Sequence, residues 1–241
     1  MMYDVAETDA SRRYIDILVR EFRDDIAIVG GWAVFFLVDE RYRFATGFEY
    51  LRSRDIDLII SPNPAFVKRF GAGIRKLGFV EGGLPFRYQL ILDRDKGTIL
   101  TEKEAAKRET FDLVYIFLDV FSPRKVSLAT WVIPELDMAL RAQKTIDGIP
   151  VAPAPEVLKM KLRSFGEREN PEKREKDACD IYALLHYSGI DRGKVPADPV
   201  LQKIANEHAD DIAEALFRDR NYGGIVRRNL STYTSPSSAS P

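Results

Sequence analysis

Apolar residues recur at helical spacing near the start of the chain, at Tyr14, Ile17, Leu18 and Phe22, and predict a helix over "DASRRYIDILVREFRDD". "IAIVGG" is a short apolar run ending in glycines and reads as a strand. "WAVFFLVDERY" follows as a buried helix. "DIDLIIS" reads as a strand stopped by "SPNP". "AFVKRFGAGIRKLGF" is amphipathic at helical spacing, with Gly78 near its end. "FRYQLIL" predicts a strand closed by "DRDKG", "TEKEAAKRET" a charged connector, and "FDLVYIFLDVFS" a long strand. "KTIDGIPVAP" predicts a hairpin turning at Asp147 and Gly148.

The pattern changes at Pro153 and Pro155, after which only helices are predicted, at about Pro155–Phe165, Pro171–Tyr187 and Pro199–Phe217. The tail "STYTSPSSASP" is small, polar and proline-rich and is expected to be disordered. The expected organisation is an α/β domain over 1–152, a helical domain over 153–230 and a tail over 231–241. The fold class expected is α/β (α+β), a mixed β-sheet flanked by helices with a C-terminal helical domain.

Composition narrows the chemistry. The 241 residues are 45% hydrophobic and 30% charged, ordinary for a globular protein with a sizeable core. A formal charge of −1 provides no global field for nucleic acid, although a local basic patch stays open. One cysteine excludes an internal disulfide; Cys179 sits in a helical pattern and reads as a buried thiol. With His186 and His208 the only histidines, a conventional structural zinc site is excluded. A bound metal is then a hard cation on carboxylates. No stretch reaches the length of a membrane span, and the N-terminus lacks the apolar core of a signal peptide, so a cytoplasmic protein without membrane partners is expected.

Within "LRSRDIDLII", Asp55 and Asp57 are spaced i, i+2 and project to one face of a strand. Two carboxylates so close repel, and a divalent cation relieves the repulsion; Mg²⁺ commonly binds a few carboxylates together with substrate phosphates. Alone the motif is common. Three features strengthen it. Gly30 and Gly31 end a strand and open a helix, where backbone N–H groups approach an anion; an unliganded tight turn is the plain alternative. Asp119 lies in a run of apolar neighbours on another strand, where a charge needs a partner or a metal. Asp112, at the start of that strand, is its competitor and suits a solvated end. Finally, Ser53 can hydrogen-bond a phosphate, and Arg54 or Arg52 can neutralise one; a solvated loop is the alternative.

In sum, a strand, a glycine pair opening a helix, D-h-D on the next strand and a lone acid on a later one resemble the nucleotidyltransferases of the DNA polymerase β-like superfamily. The long interval between Gly31 and Asp55 is similar to the AbiEii-type branch, toxin nucleotidyltransferases of abortive-infection and type IV toxin–antitoxin systems. The matching elements are Gly30, Gly31, Ser53, Asp55 and Asp57, then "PEVLKMKL" and "KDACDI", which place Lys161 and Asp177 as the second polar motif with Asp180 a turn further on. The resemblance covers roughly Ile26 to Leu185. Two departures stand out: Trp32 follows the glycines where a small residue is commoner, and "RFATGFEYL" matches nothing in the pattern.

The resemblance implies transfer of a nucleoside monophosphate from a nucleoside triphosphate such as ATP to an acceptor hydroxyl, with release of pyrophosphate. Phosphates would lie at Gly30, Gly31, Ser53 and Arg54. Asp55, Asp57 and Asp119 would hold two Mg²⁺ ions, and Lys161, with Asp177 as its matching polar partner, would steady the triphosphate. An interhelical salt bridge is the alternative for that pair. The implied acceptor is RNA, in particular a tRNA 3′ end, and a cognate antitoxin is the implied partner. Two other readings stay open: an antibiotic-type small-molecule nucleotidyltransferase, and a nucleotide-binding module of the same fold without catalysis. Lys159, Lys173, Arg174 and Lys176 read as a solvated basic face or as contacts to acceptor phosphates.

Overall fold

In the computed structural model the described residues are 3–128, 132, 133, 136–191, 193, 195 and 198–233. The chain separates into two compact units. One takes Tyr3–Ala33 and Arg52–Pro153; the other takes Val34–Leu51 and the chain from Ala154 onward.

The first unit is built on one mixed sheet. Helix α1 (Val5–Phe22) precedes strand β1 (Ile26–Val29), and helix α2 (Gly30–Thr46) starts directly after it. Strand β2 (Ile56–Ile60), helix α3 (Pro64–Lys76), strands β3 (Val80–Glu81), β4 (Arg87–Asp93) and β5 (Ile99–Leu100), helix α4 (Glu102–Ala105) and the long strand β6 (Leu113–Phe121) follow. Helix α5 (Leu136–Arg141) and the hairpin β7 (Lys144–Ile146) and β8 (Ile149–Val151) complete it. The strand order is β3-β4-β6-β2-β1-β8-β7, with β5 paired to β4. β2 runs parallel to β6 and antiparallel to β1. It therefore lies in the middle of the sheet, which explains why Leu58, Ile59 and Ile60 are all buried.

The expected strands form where the apolar runs predict them. The β7–β8 turn has Asp147 at φ 49° and Gly148 at φ 81°, the paired positive φ values of a two-residue hairpin. Helix α3 is capped by Asn63, whose side chain accepts from the backbone N–H groups of Ala65 and Phe66, and it ends before Gly78 at φ 92°. The connector "TEKEAAKRET" departs from expectation by holding α4. Thr101 and Glu104 form a reciprocal capping box, which is enough to order one turn there.

The second unit is helical. It contains Val34–Thr46 of α2, then α6 (Ala154–Glu167), α7 (Pro171–Tyr187), α8 (Pro199–Glu207), α9 (Ala209–Phe217) and α10 (Gly223–Ser231). The single helix expected over Pro199–Phe217 is two. The chain leaves helical geometry at His208 (φ −124°, ψ 3°), and α9 restarts with Asp210 and Asp211 in its first turn, where its dipole favours them. Helix α10 reaches Ser231, and Tyr233 is buried, so ordered structure extends past the expected start of the tail. Residues 234–241 lie outside the described residues. Cys179 is fully buried on α7, as its helical context predicts, and desolvation pushes its thiol pKa up. Among the described residues no helix is long and apolar enough to cross a membrane.

Helices α1 and α3 pack through aromatic rings. The Phe22 ring lies 4.9 Å from Phe70 and 6.1 Å from Phe66, centroid to centroid. Gly73 allows this approach: a Cβ there would stand 2.4 Å from Phe22 Cζ. Helix propensity favours Ala over Gly by about 1 kcal/mol, whereas overpacking a closed core costs about 1–3 kcal/mol. Phe22 is only 4% exposed and held among other rings, so the steric term is expected to dominate. Gly73→Ala should lower the urea unfolding free energy by about 1 kcal/mol net; a stabilised variant would contradict this packing.

Candidate functional site

The strand register brings the acids together. Asp57 on β2 is directly paired with Asp119 on β6, and Asp119 is directly paired with Arg87 on β4. Directly paired residues on neighbouring strands project to the same face. Three adjacent strands thus present Asp57, Asp119 and Arg87 side by side. Asp55, one residue before β2, and Asp57 both lie close enough for their charges to raise the Arg87 pKa. Asp112 ends the short turn that enters β6, seven residues from Asp119 along the strand, and does not share this register.

Arg87 dominates the electrostatics. Its Nε donates to Asp119 Oδ1 at 2.7 Å and its Nη2 to Asp119 Oδ2 at 2.6 Å. This is the bidentate fork that suits a carboxylate. Asp119 is only 6% exposed, so the pairing compensates a charge that burial would otherwise penalise. The Asp119 hydrogen bonds, opposed by desolvation and aided by the charges of Asp119, Asp55 and Asp57, hold the guanidinium pKa above its ordinary value. The guanidinium carbon also lies 4.9 Å from the Phe117 ring centre, and that of Arg54 lies 5.6 Å from the same ring. Arg54 Nε reaches Asp55 Oδ1 at 3.3 Å. Glu7, in the first turn of α1, adds a fourth carboxyl near Arg54. Desolvation raises its pKa, Arg54 opposes, and the Asp4 and Asp55 charges raise it further.

The glycine corner is shaped around these groups. Gly30 sits at φ 64°, and a Cβ there would fall 1.9 Å from Asp57 Oδ2. A Cβ on Gly31 would fall 2.6 Å from Ser53 Oγ. Both glycines are thus required by close approach, and Asp57 is seated at the start of α2, where the helix dipole favours negative charge. Ser53 is buried and its hydroxyl donates to the Asp55 carbonyl at 3.3 Å, which shapes the turn into β2. Arg52 pairs instead with Asp9 on α1. Trp32, the departure noted in the sequence, is fully buried, and its Nε1 donates to Ser11 Oγ at 2.8 Å. It lies in the core of the first unit, tied to α1 through Ser11.

The residues present suit a hard divalent cation in their donor chemistry: carboxylate oxygens of Asp55 and Asp57, with Asp119 beside them. In the conformation described, Arg87 takes both oxygens of Asp119. Among the described residues no group of three or more His, Cys, Asp or Glu is disposed to hold a metal. Asp119 is thus engaged by Arg87, and Asp55 by Arg54.

Lys161 and Asp177 belong to the other unit. Lys161 Nζ lies 2.7 Å from Asp177 Oδ1 and 2.7 Å from Asp180 Oδ2. Ser164 donates to Asp177 at 3.0 Å, Tyr50 O–H donates to Asp180 at 2.8 Å, and Lys176 and Arg168 complete the network. The unmatched insert "RFATGFEYL" is what delivers Tyr50. This is a closed, buried interhelical ion cluster, and it occupies Lys161 fully. Arg87 and Glu7 were not singled out from the sequence. Arg87 gives no local signal, because only the β4–β6 register places it on Asp119.

The cluster sets a pH-dependent stability. Burial raises the Asp177 pKa, but the Lys161 and Arg168 charges and the Lys161 and Ser164 hydrogen bonds outweigh it, and the net shift is downward. Its contribution is therefore complete above the unfolded carboxylate pKa of about 3.9 and is lost as pH falls through the lower folded value. Lys161→Met should cost about 3–5 kcal/mol at pH 7 by leaving two buried carboxylates short of a cation. The acid-induced loss should also be smaller in the variant, because Asp177 then keeps only Arg168 and Ser164 against its burial. Chemical denaturation across pH 3–8 reads both effects, and parallel profiles for the two proteins would contradict the assignment.

No family model matches the sequence, and no curated protein is significantly similar to it. Among solved structures, the chain is similar to an antigenic nucleotidyltransferase-like protein from Paracoccidioides brasiliensis. The identity is 20% with a TM-score of 0.46, covering 92% of this chain and 93% of that one. It is also similar to the Megavirus polyadenylate synthase at 16% identity and a TM-score of 0.40, covering 83% of this chain. Against that protein the chain spans only 37% of the length. Neither likeness assigns a role to a residue of this chain.

Proposed function

We propose that the protein transfers a nucleoside monophosphate from a nucleoside triphosphate to an acceptor hydroxyl and releases pyrophosphate. The observation that carries this reading is the in-register pairing of Asp57 with Asp119 beside the Gly30–Gly31 corner. Asp55 and Asp57 are the proposed holders of Mg²⁺, with Asp119 joining them. Mg²⁺ bound there would supply charge stabilisation for the attacking and leaving oxygens. The chain's own residues do the rest. Asp119, freed from Arg87, would take the proton of the acceptor hydroxyl. Arg87, displaced from Asp119, and Arg54 carry the positive charge that triphosphate oxygens need. The start of α2 orients a phosphate through its backbone N–H groups. The acceptor proposed is an RNA 3′ end; a toxin role with a cognate antitoxin is supported by the sequence resemblance.

One observation favours a second reading. Asp119 is fully engaged by Arg87, which suits a nucleotide-binding module without catalysis. Two tests separate the readings. Asp55→Asn combined with Asp57→Asn should lower labelled-nucleotide transfer about 10³-fold, or roughly 4 kcal/mol in the barrier, with thermal unfolding preserved. Transfer that survives both substitutions rejects the catalytic reading. Arg87→Met removes the competitor for Asp119, and the Mg²⁺ concentration giving half-maximal transfer should fall about tenfold. An unchanged Mg²⁺ requirement would show that Arg87 does not compete for the site.

A further inference from the structure

A second feature of the sheet-bearing unit lies beyond the acids. Pro64, Lys68, Gly71 and Arg75 follow one another at i+4, i+3 and i+4 along α3 and form one line on its surface. Opposite them runs the segment after β6, with Lys125, Ser127 and Leu128. The two walls enclose a cleft of about 380 Å³. Lys68, Arg75 and Lys125 are exposed, and none of them makes an ion pair among the described residues. Arg69, next to Lys68 but off this line, is by contrast held by Asp25 at 3.1 Å and lies over the Phe66 ring. The cleft floor is Leu128, buried and fixed by Tyr88, whose O–H donates to its carbonyl at 3.3 Å. Gly71 keeps the line low in the middle: a Cβ there would already lie 3.0 Å from both Leu128 methyl groups.

Three cations facing one concavity with no carboxylate among them repel one another, and the concave wall focuses their field. Among the described residues no carboxylate pairs with them, which leaves their charge open to an anionic ligand. Lys68 and Arg75 are separated by about 10 Å along the helix, seven residues at 1.5 Å each, and Lys125 stands on the facing wall. Three cations on the two walls of one cleft of about 380 Å³ suit a chain of phosphates better than a single one. The apolar floor suits a ribose or base edge. The cleft begins at Pro62, five residues past Asp57 along β2, hence at most about 17 Å from it. An RNA strand covers that distance in a few nucleotides.

We infer that this cleft binds the phosphodiester backbone of single-stranded RNA and holds the acceptor strand away from the acids that act on its end. This rests on the nucleotidyl-transfer reading for the identity of the acceptor, but the binding itself does not depend on transfer. The test is fluorescence anisotropy of the full chain with a labelled ten-nucleotide RNA, in EDTA without triphosphate, across 50–200 mM KCl. Lys68→Gln, Arg75→Gln and Lys125→Gln are made together; all three side chains are exposed, and an unchanged thermal unfolding curve confirms the fold. Three lost phosphate contacts at about 0.7 each should make the slope of log affinity against log salt shallower by about 2, with affinity down at least tenfold at the lowest salt. An unchanged slope and affinity overturn the proposal. So does displacement of the RNA by free AMP at matched phosphate concentration, which would mark a small-anion site. RNA affinity lost in the triple variant while the wild type transfers no nucleotide would reject the reaction and keep the cleft. Intact transfer with unchanged RNA affinity would do the reverse.

Discussion

Two like charges side by side on neighbouring strands of a buried sheet must be neutralised from outside the pair, and the rest of the site follows from how this chain does it. Asp57 and Asp119 are in register on β2 and β6, about 5 Å apart at the backbone. Two unit charges that far apart would repel by about 3 kcal/mol at an effective dielectric near 20. Arg87 supplies the cation from β4 with a bidentate grip on Asp119. The Gly30 corner receives Asp57 at the start of α2. Under the proposed function, a divalent cation and a polyphosphate arriving together would offer Asp119 and Arg87 new partners of opposite charge to their own.

The helical unit uses the same principle to a different end. Lys161 and Lys176 with Asp177 and Asp180 form a buried cluster in which each charge meets an opposite one. Tyr50 and Ser164 add hydrogen bonds to the carboxylates. The cluster ties α6, α7 and the Val34–Leu51 segment together through Lys161, Asp177, Asp180 and Tyr50.

Much of the sheet was legible because its strands are bounded apolar runs, and the hairpin at Asp147–Gly148 was legible because its turn needs two positive φ values. The helix break at His208 was not, since the apolar spacing of Pro199–Phe217 continues across it. Of the site, the i, i+2 acids and the isolated charge in "YIFLDVFS" carried their own signals. Arg87 did not: thirty-two residues separate it from Asp119, and only strand pairing brings them together. Lys161 and Asp177 were legible as a pair, while Tyr50, which donates to Asp180 beside them, is delivered by an insert with no motif of its own.

The central claim is that Arg87 stands in for a metal and yields to one. Crystals soaked with Mn²⁺ and a non-hydrolysable triphosphate test it most directly. The account predicts anomalous density between Asp55 and Asp57, with Asp119 turned to the metal and Arg87 moved onto the phosphates. An intact Arg87–Asp119 pair, with manganese absent from the acids or bound elsewhere, would contradict it.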